Sequence, residues 1–160
     1  MKLTGKDILK LHGGIFRFSQ HVFKATPTFR YAIGRNNKIL TPLVDLIRAE
    51  TKIPAGKDID DYEIERKFIV SEYSKDGENI EAAKLNEFMN KIEDLKKRKP
   101  EVVEKIKAHK EEVEEFLKQE HEVQLHLVDP KYIPETIEDQ SALNDMIEIF
   151  TDPSFDEKDA

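Results

Sequence analysis

The sequence predicts a mainly α-helical protein, built from elongated antiparallel helical hairpins or coiled coil, with a small β element near residues 122–128. Apolar residues recur at +3 and +4 spacing through long stretches, as on the buried stripe of a helix. Charged residues make up 37% of the chain against 38% hydrophobic, a balance that suits narrow helix seams better than a thick spherical core. Only HEVQLHLVDP alternates with the period of a strand. At 160 residues the chain reads as a single helical domain over residues 1–150, with a basic N-terminal third (1–50), an acidic remainder and a flexible acidic tail at 151–160.

Thr4 is placed to cap a first amphipathic helix carrying Ile8, Leu9 and Leu11, with Asp7 in its first turn, where the helix dipole favours an acid. Gly13-Gly14 predicts a break, after which Ile15, Phe18 and Val22 mark a resumed helix. KATPT (24–28) is a connection: Pro27 demands an extended predecessor, and Thr26 or Thr28 can cap the next helix. Phe29, Ile33, Asn36, Leu40, Leu43 and Ile47 then step in heptad phase, so AIGRNNKIL is helical and the unbroken phase across Pro42 predicts one helix kinked there. Gly34 lies on its outer face and weakens this helix by about 1 kcal/mol.

TKIPAGKD (51–58) is a linker, and a second long helix opens on Asp58, Asp60 and Asp61 and ends at Lys75-Asp76-Gly77. A third helical region runs from about Ala82 to Phe116 in strict +3, +4 alternation, interrupted only by Lys99 and His109. Pro100 marks either a kink or a joint in it, and the preserved register favours the kink. The third region is expected to pack against the first two. In the predicted strand Val123, Leu125 and Leu127 share one face, and the pairing partner is either MKLT or YIPETI (132–137). An open edge there would be a docking site. Asp139 caps a last short helix with Leu143, Met146, Ile147 and Phe150 on its stripe.

The net charge of −7 conceals a division: residues 1–50 carry +6 and residues 51–160 carry −13. Such a layout is neutralised within the fold or between subunits, or else it steers the chain toward an acidic partner. There is no cysteine, so disulfides and thiolate metal sites are excluded. MKLTGKDILK lacks an apolar signal core, and a soluble intracellular protein is expected, with no membrane partner.

No catalytic signature is present. The five histidines show no His-x-x-x-His or Glu-x-x-His pair, Gly13-Gly14 belongs to no phosphate-binding loop, and no serine sits in a G-x-S-x-G elbow. Asp58, Asp60 and Asp61 lack the further ligands of a calcium loop and read as first-turn acids. No catalytic residue, metal ligand or cofactor is therefore expected, and the chain is read as not an enzyme. Asn36, Lys99 and His109 interrupt apolar seams with polar groups, the pattern that specifies a partner or a register. On that reading Asn36→Leu raises stability and loosens partner choice. Arg30, Arg35 and Lys38, interleaved with Phe29 and Tyr31, offer the alternative of phosphate contacts and base stacking.

The segments MKLTGKDI, FRYAIGRNNKILTPLVDLI, EIERKFIVSEYSKDG, EVQLHLVDPKYIP and ALNDMIEIF, spread over most of residues 1–150, resemble an uncharacterised family of small proteins encoded by tailed bacteriophages and prophages. Members commonly run through the third helical region without a proline, so Pro100 is a departure. The resemblance implies a viral setting, in the host cytoplasm or the virion, and no activity that can be carried over residue by residue. The expected function is a non-catalytic virion component or assembly factor, binding other phage proteins or itself through helix faces and a strand edge. A nucleic-acid-binding accessory role for the basic third is the alternative.

Overall fold

The computed structural model describes residues 1–20, 25–74, 77, 79–134 and 139–151, and is mainly α-helical with a small two-stranded sheet. Among the described residues the elements run β1 (Lys2–Thr4), α1 (Gly5–Ser19), α2 (Pro27–Glu50), α3 (Lys57–Tyr73), α4 (Leu85–Arg98), α5 (Pro100–Leu117), β2 (Glu120–Glu122) and α6 (Gln140–Asp145). Single 3-10 turns lie at Ala82–Lys84, Pro130–Tyr132 and Ile147–Ile149. The chain divides into two compact units, one formed by Met1–Thr51 with Glu115–Ala160 and the other by Lys52–Glu114.

In the first unit Thr4 and Asp7 form a reciprocal cap: the Thr4 hydroxyl accepts from the Asp7 amide at 3.2 Å, and the Asp7 carboxylate accepts from the Thr4 amide at 3.1 Å. The Thr4 hydroxyl, donating to the carboxylate, holds the Asp7 pKa below its ordinary value. Ile8, Leu11, Ile15 and Phe18 bury the inner stripe of α1. Phe18 meets Phe29 edge-on at 5.2 Å, and His12 Nε2 lies 3.4 Å from Thr41 Oγ1, so α1 and α2 run in opposite directions. Thr26 is the cap of α2 and Pro27 its first residue. The helix continues through Pro42, which is exposed and has no N–H to donate to the Lys38 carbonyl.

The predicted break at Gly13-Gly14 is absent, because α1 runs unbroken from Gly5 to Ser19. Gly14 serves the packing of α6 instead: a methyl group there would stand 2.8 Å from the Ala142 carbonyl oxygen and 2.9 Å from Met146 Cγ. Intrinsic propensity loses to this close approach. Arg17, one turn on, fastens the same contact by reaching both Asp139 (3.3 Å) and Asp145 (2.5 Å) at the two ends of α6. Asp139 caps α6 by accepting from the Ala142 amide at 2.9 Å.

Of the two candidate strand partners, the N-terminal segment is the one used. β1 and β2 pair antiparallel with Lys2 opposite Glu122, Leu3 opposite His121 and Thr4 opposite Glu120. The ladder therefore lies earlier than the alternation places it. Beyond it Val123 is buried, but Leu127 is 50% exposed while Val128 is 4% exposed, so the period-2 phase slips between them. Val128 forms a parallel bridge to Phe150. The short last helix turns 3-10 after Asp145, which rotates Ile147 outward to 64% exposure.

In the second unit α3 and α4 also run in opposite directions: Tyr73 donates to Glu87 (2.8 Å), Lys91 to Glu72 (2.9 Å), and Lys99 meets Glu65 (2.7 Å). Their core is small, with Ile59, Tyr62, Leu95 and Val102 at its centre. The third helical region is jointed, contrary to the kink its register favours. Lys99, at φ −131° and ψ 56°, leaves helical space between α4 and α5. Local sterics weigh here, since the ring of Pro100 disfavours the α conformation in the residue before it; Thr41 before Pro42 keeps that conformation within the long buried stripe of α2, and Lys99 does not. Asp58 lies in the first turn of α3, where its carboxylate accepts from Lys105 at 2.6 Å. Gly77 has the left-handed φ of 77° that a turn after α3 requires. Val22, Lys75, Asp76, residues 135–138 of the YIPETI candidate and the tail from 152 lie outside the described residues.

The two adjacent glycines of α1 should separate in a denaturation experiment. A methyl group at Gly13 meets nothing within 4 Å, so Gly13→Ala should raise stability by about 0.5–1 kcal/mol. Gly14→Ala forces α6 away and should lower it by about 1–3 kcal/mol. Urea midpoints of the two variants moving in the same direction would refute this account of the α1–α6 contact.

Candidate functional site

The 3.6-residue period of α2 sorts its side chains cleanly. Phe29, Ala32, Ile33, Leu40, Val44 and Ile47 are buried, while Arg30, Tyr31, Gly34, Arg35, Lys38 and Pro42 face solvent. Five turns of buried inner stripe thus fix the direction of the outer one. The structure brings Arg30, Arg35 and Lys38 onto a single exposed face with Tyr31, which is 59% exposed. No acid occurs between Pro27 and Val44.

Elsewhere in the basic third Lys2 meets Glu120 at 3.3 Å, Lys10 meets Asp145 at 3.8 Å, and Arg17 bridges Asp139 and Asp145, while among the described residues Lys6 and Arg48 have no such pair. Among the described residues no such pair engages Arg30, Arg35 or Lys38. Internal neutralisation therefore stops short of the α2 face. At its centre, a methyl group on Gly34 would meet nothing within 4 Å, so this chain's own packing does not require the glycine.

Asn36 sits on the opposite, inner face and is fully buried. Its amide donates to the His126 carbonyl at 2.8 Å, and its oxygen accepts from the His126 backbone N–H at 2.7 Å. With the side chain fully buried and bonded at both its nitrogen and its oxygen, none of it is offered to a partner. The His126 ring in turn stands edge-on to Tyr31, with centroids 5.3 Å apart. A buried amide and an exposed phenol thus hold the same residue from two sides. Nothing in the periodicity of α2 signals that the Asn36 partner is a backbone 90 residues away.

Lys99 and His109 belong to the second unit, so the three seam interruptions do not converge on one site within either unit. Lys99 is the joint residue, and its ammonium, together with Arg98 at 3.1 Å, engages Glu65 and holds that carboxyl below its ordinary pKa. His109 is half-buried on α5 and has an interaction of its own. Among the described residues no group of three or more His, Asp or Glu side chains is placed to hold a metal ion, and no helix is long and apolar enough to cross a membrane.

Two features escaped the sequence. One is an open apolar hollow of about 500 Å³ near the C-terminal end, lined by Pro130, Ile133, Leu143, Asn144, Ile147, Phe150 and Thr151. Its only sequence signal is the stripe of the last short helix, from which the 3-10 turn rotates Ile147. The other is His12, half-buried between α1 and α2 near Thr41, with Arg48 and Asp45 close by. Burial, aided by Arg48 and opposed by Asp45, lowers its pKa from the ordinary 6.5.

No protein-family model, curated protein or solved structure matches the chain.

Asn36 and His12 each give a measurable expectation. Asn36→Leu removes the partner of a backbone donor and acceptor of His126 and sets a leucine against them, and should cost about 1–3 kcal/mol. The stabilisation anticipated from the seam pattern is thus replaced by a loss, and a urea midpoint at or above wild type would contradict the two-point bond. For His12 the folded pKa lies below the unfolded one, so its contribution is complete above pH 6.5 and fades as pH falls from there through the folded value. Comparing unfolding free energies at about pH 7.5 and about pH 5, His12→Gln should show a shallower loss than wild type. Parallel losses would remove His12 as the cause.

Proposed function

We propose that the protein is a non-catalytic interaction protein that docks other phage proteins or further copies of itself through the outer faces of its helices. The observation that carries this is the α2 face, where among the described residues no carboxylate pairs with Arg30, Arg35 or Lys38, while Lys2, Lys10 and Arg17 are paired. A fixed row of unneutralised guanidinium and ammonium groups favours a complementary acidic surface, chiefly by steering and orienting its approach. The helix faces bear this role rather than the strand edge, because the return segment after β2 uses its own backbone: Val123 donates to Met1, His126 bonds Asn36, and Val128 pairs with Ile149 and Thr151. The phage setting, as a virion component or assembly factor in the infected host, rests on the resemblance of the five quoted segments.

A second reading uses the same face for nucleic acid, favoured by the exposed Tyr31 ring beside the cations. The net charge of −7 weighs against it, since the rest of the chain repels a polyanion.

Affinity capture from phage-infected cells, with the bound polypeptides sequenced, tests the first reading. A phage-encoded partner should be recovered with wild type and be depleted at least about tenfold with the double variant Arg35→Glu, Lys38→Glu. Recovery unaffected by the double variant would remove the α2 face from the proposal. DNA or RNA retained at low salt, with affinity falling by a log–log slope of about −2 to −3 for three phosphate contacts, would instead select the second reading.

A further inference from the structure

The α2 face has a counterpart in the same chain. Arg30, Gly34 and Lys38 lie on one ridge of α2 at i, i+4 and i+8, all exposed. On α5, Glu104, Ala108 and Glu112 occupy a ridge with the same spacing, and all three are exposed. One ridge reads cation, small residue, cation. The other reads anion, small residue, anion. Each spans about 12 Å along its helix, so the charged ends come into register when the small residues meet.

Among the described residues no salt bridge engages Arg30, Lys38, Glu104 or Glu112, whereas the neighbouring Lys105 of α5 is held by Asp58 at 2.6 Å. The glycine at the centre of the α2 ridge is unexplained by this fold, since nothing lies within 4 Å of where its methyl group would be. Glycine in a helix interior is destabilising, and its use at an exposed position gains a reason if another helix crosses there at close range. Ridges of the i±4 kind are the ones that interdigitate in the commonest helix–helix crossing.

We infer that the occupant of the α2 face is a second copy of this chain: the Arg30–Gly34–Lys38 ridge of one copy docks on the Glu104–Ala108–Glu112 ridge of another. The inference rests on the reading that the chain works by docking, and it names the partner. It accounts for the residual charge division, because the basic face that internal pairs leave open is neutralised between copies. The contact joins two different surfaces, so it builds a ring or an open row unless two copies satisfy both contacts reciprocally.

Sedimentation equilibrium on the full chain tests it with two charge-reversed variants, Arg30→Glu with Lys38→Glu, and Glu104→Lys with Glu112→Lys. Wild type should self-associate at low salt, and each variant alone should associate at least about tenfold more weakly while keeping the wild-type helical circular dichroism. An equimolar mixture of the two variants should regain association, because each acidic ridge then meets a basic one. That regain distinguishes docking from misfolding. Wild type monomeric at about 1 mM, association indifferent to both reversals, or a mixture no tighter than its components would each overturn the inference. A monomeric wild type that still captures a phage polypeptide would leave the functional proposal standing and transfer the α2 face to that partner. A monomer that binds DNA or RNA through Arg30 and Lys38 would assign the face to nucleic acid.

Discussion

The first unit depends on the bond between the Asn36 side chain and the His126 backbone. The chain leaves this unit after Thr51 and returns at Glu115, and between β2 and α6 it has no regular structure beyond a single 3-10 turn among the described residues. A segment without regular structure that sets Val123 and Val128 into an apolar core must find partners for the N–H and C=O groups it takes from water. This one does so piecewise: Met1 serves Val123, Asn36 serves His126, and the stretch of backbone around Ile149 to Thr151 serves Val128. Within that series the Asn36 amide is fully buried and is supplied by a helix side chain rather than by backbone. Its burial is stabilising only as a matched pair, since either partner alone would be an orphaned polar group.

That arrangement explains which parts of the fold are legible in the sequence. Helix stripes and caps are local, so Thr4, Thr26 and Asp139 can be assigned from neighbours within one turn. The period of α2 is equally local, and it places Arg30, Arg35 and Lys38 on one exposed face. Gly14 misleads because its reason lies in α6, more than a hundred residues on, where Ala142 comes within contact of its Cα hydrogens. Pro100 misleads for the opposite reason. A long-range pattern, the heptad register, competes there with the steric rule governing a single peptide unit, and Lys99 shows the local rule prevailing. Asn36 combines both difficulties: its seam position is legible, but a polar seam residue has many conceivable partners and periodicity names only helices.

The two units differ in how charge is used. In the second, α3 and α4 are laced by Glu65 with Lys99 and Arg98, and by Glu72 with Lys91. These pairs are exposed and individually weak, and they line the antiparallel register of two helices that share only a small apolar core. In the first, a larger core sets the geometry, and ion pairs concentrate where α6 meets α1 through Arg17. The α2 cations contribute to neither task. Their exposure is a property of the helix phase, with Phe29, Ala32, Ile33, Leu40, Val44 and Ile47 of α2 committed inward.

A cationic face of this kind is useful for recognition only if it is held still. Long cationic side chains lose rotamer freedom on pairing, and a mobile backbone would add to that cost. Here the backbone beneath them is a helix whose inner stripe is buried along its length, and the glycine between the cations adds no side chain of its own. Tyr31 is further restrained by the His126 ring, whose backbone Asn36 fixes from inside. The buried amide, which its seam position alone would make a partner specifier, thus acts one step removed: it does not touch a partner, but it supports the wall against which the exposed face is set.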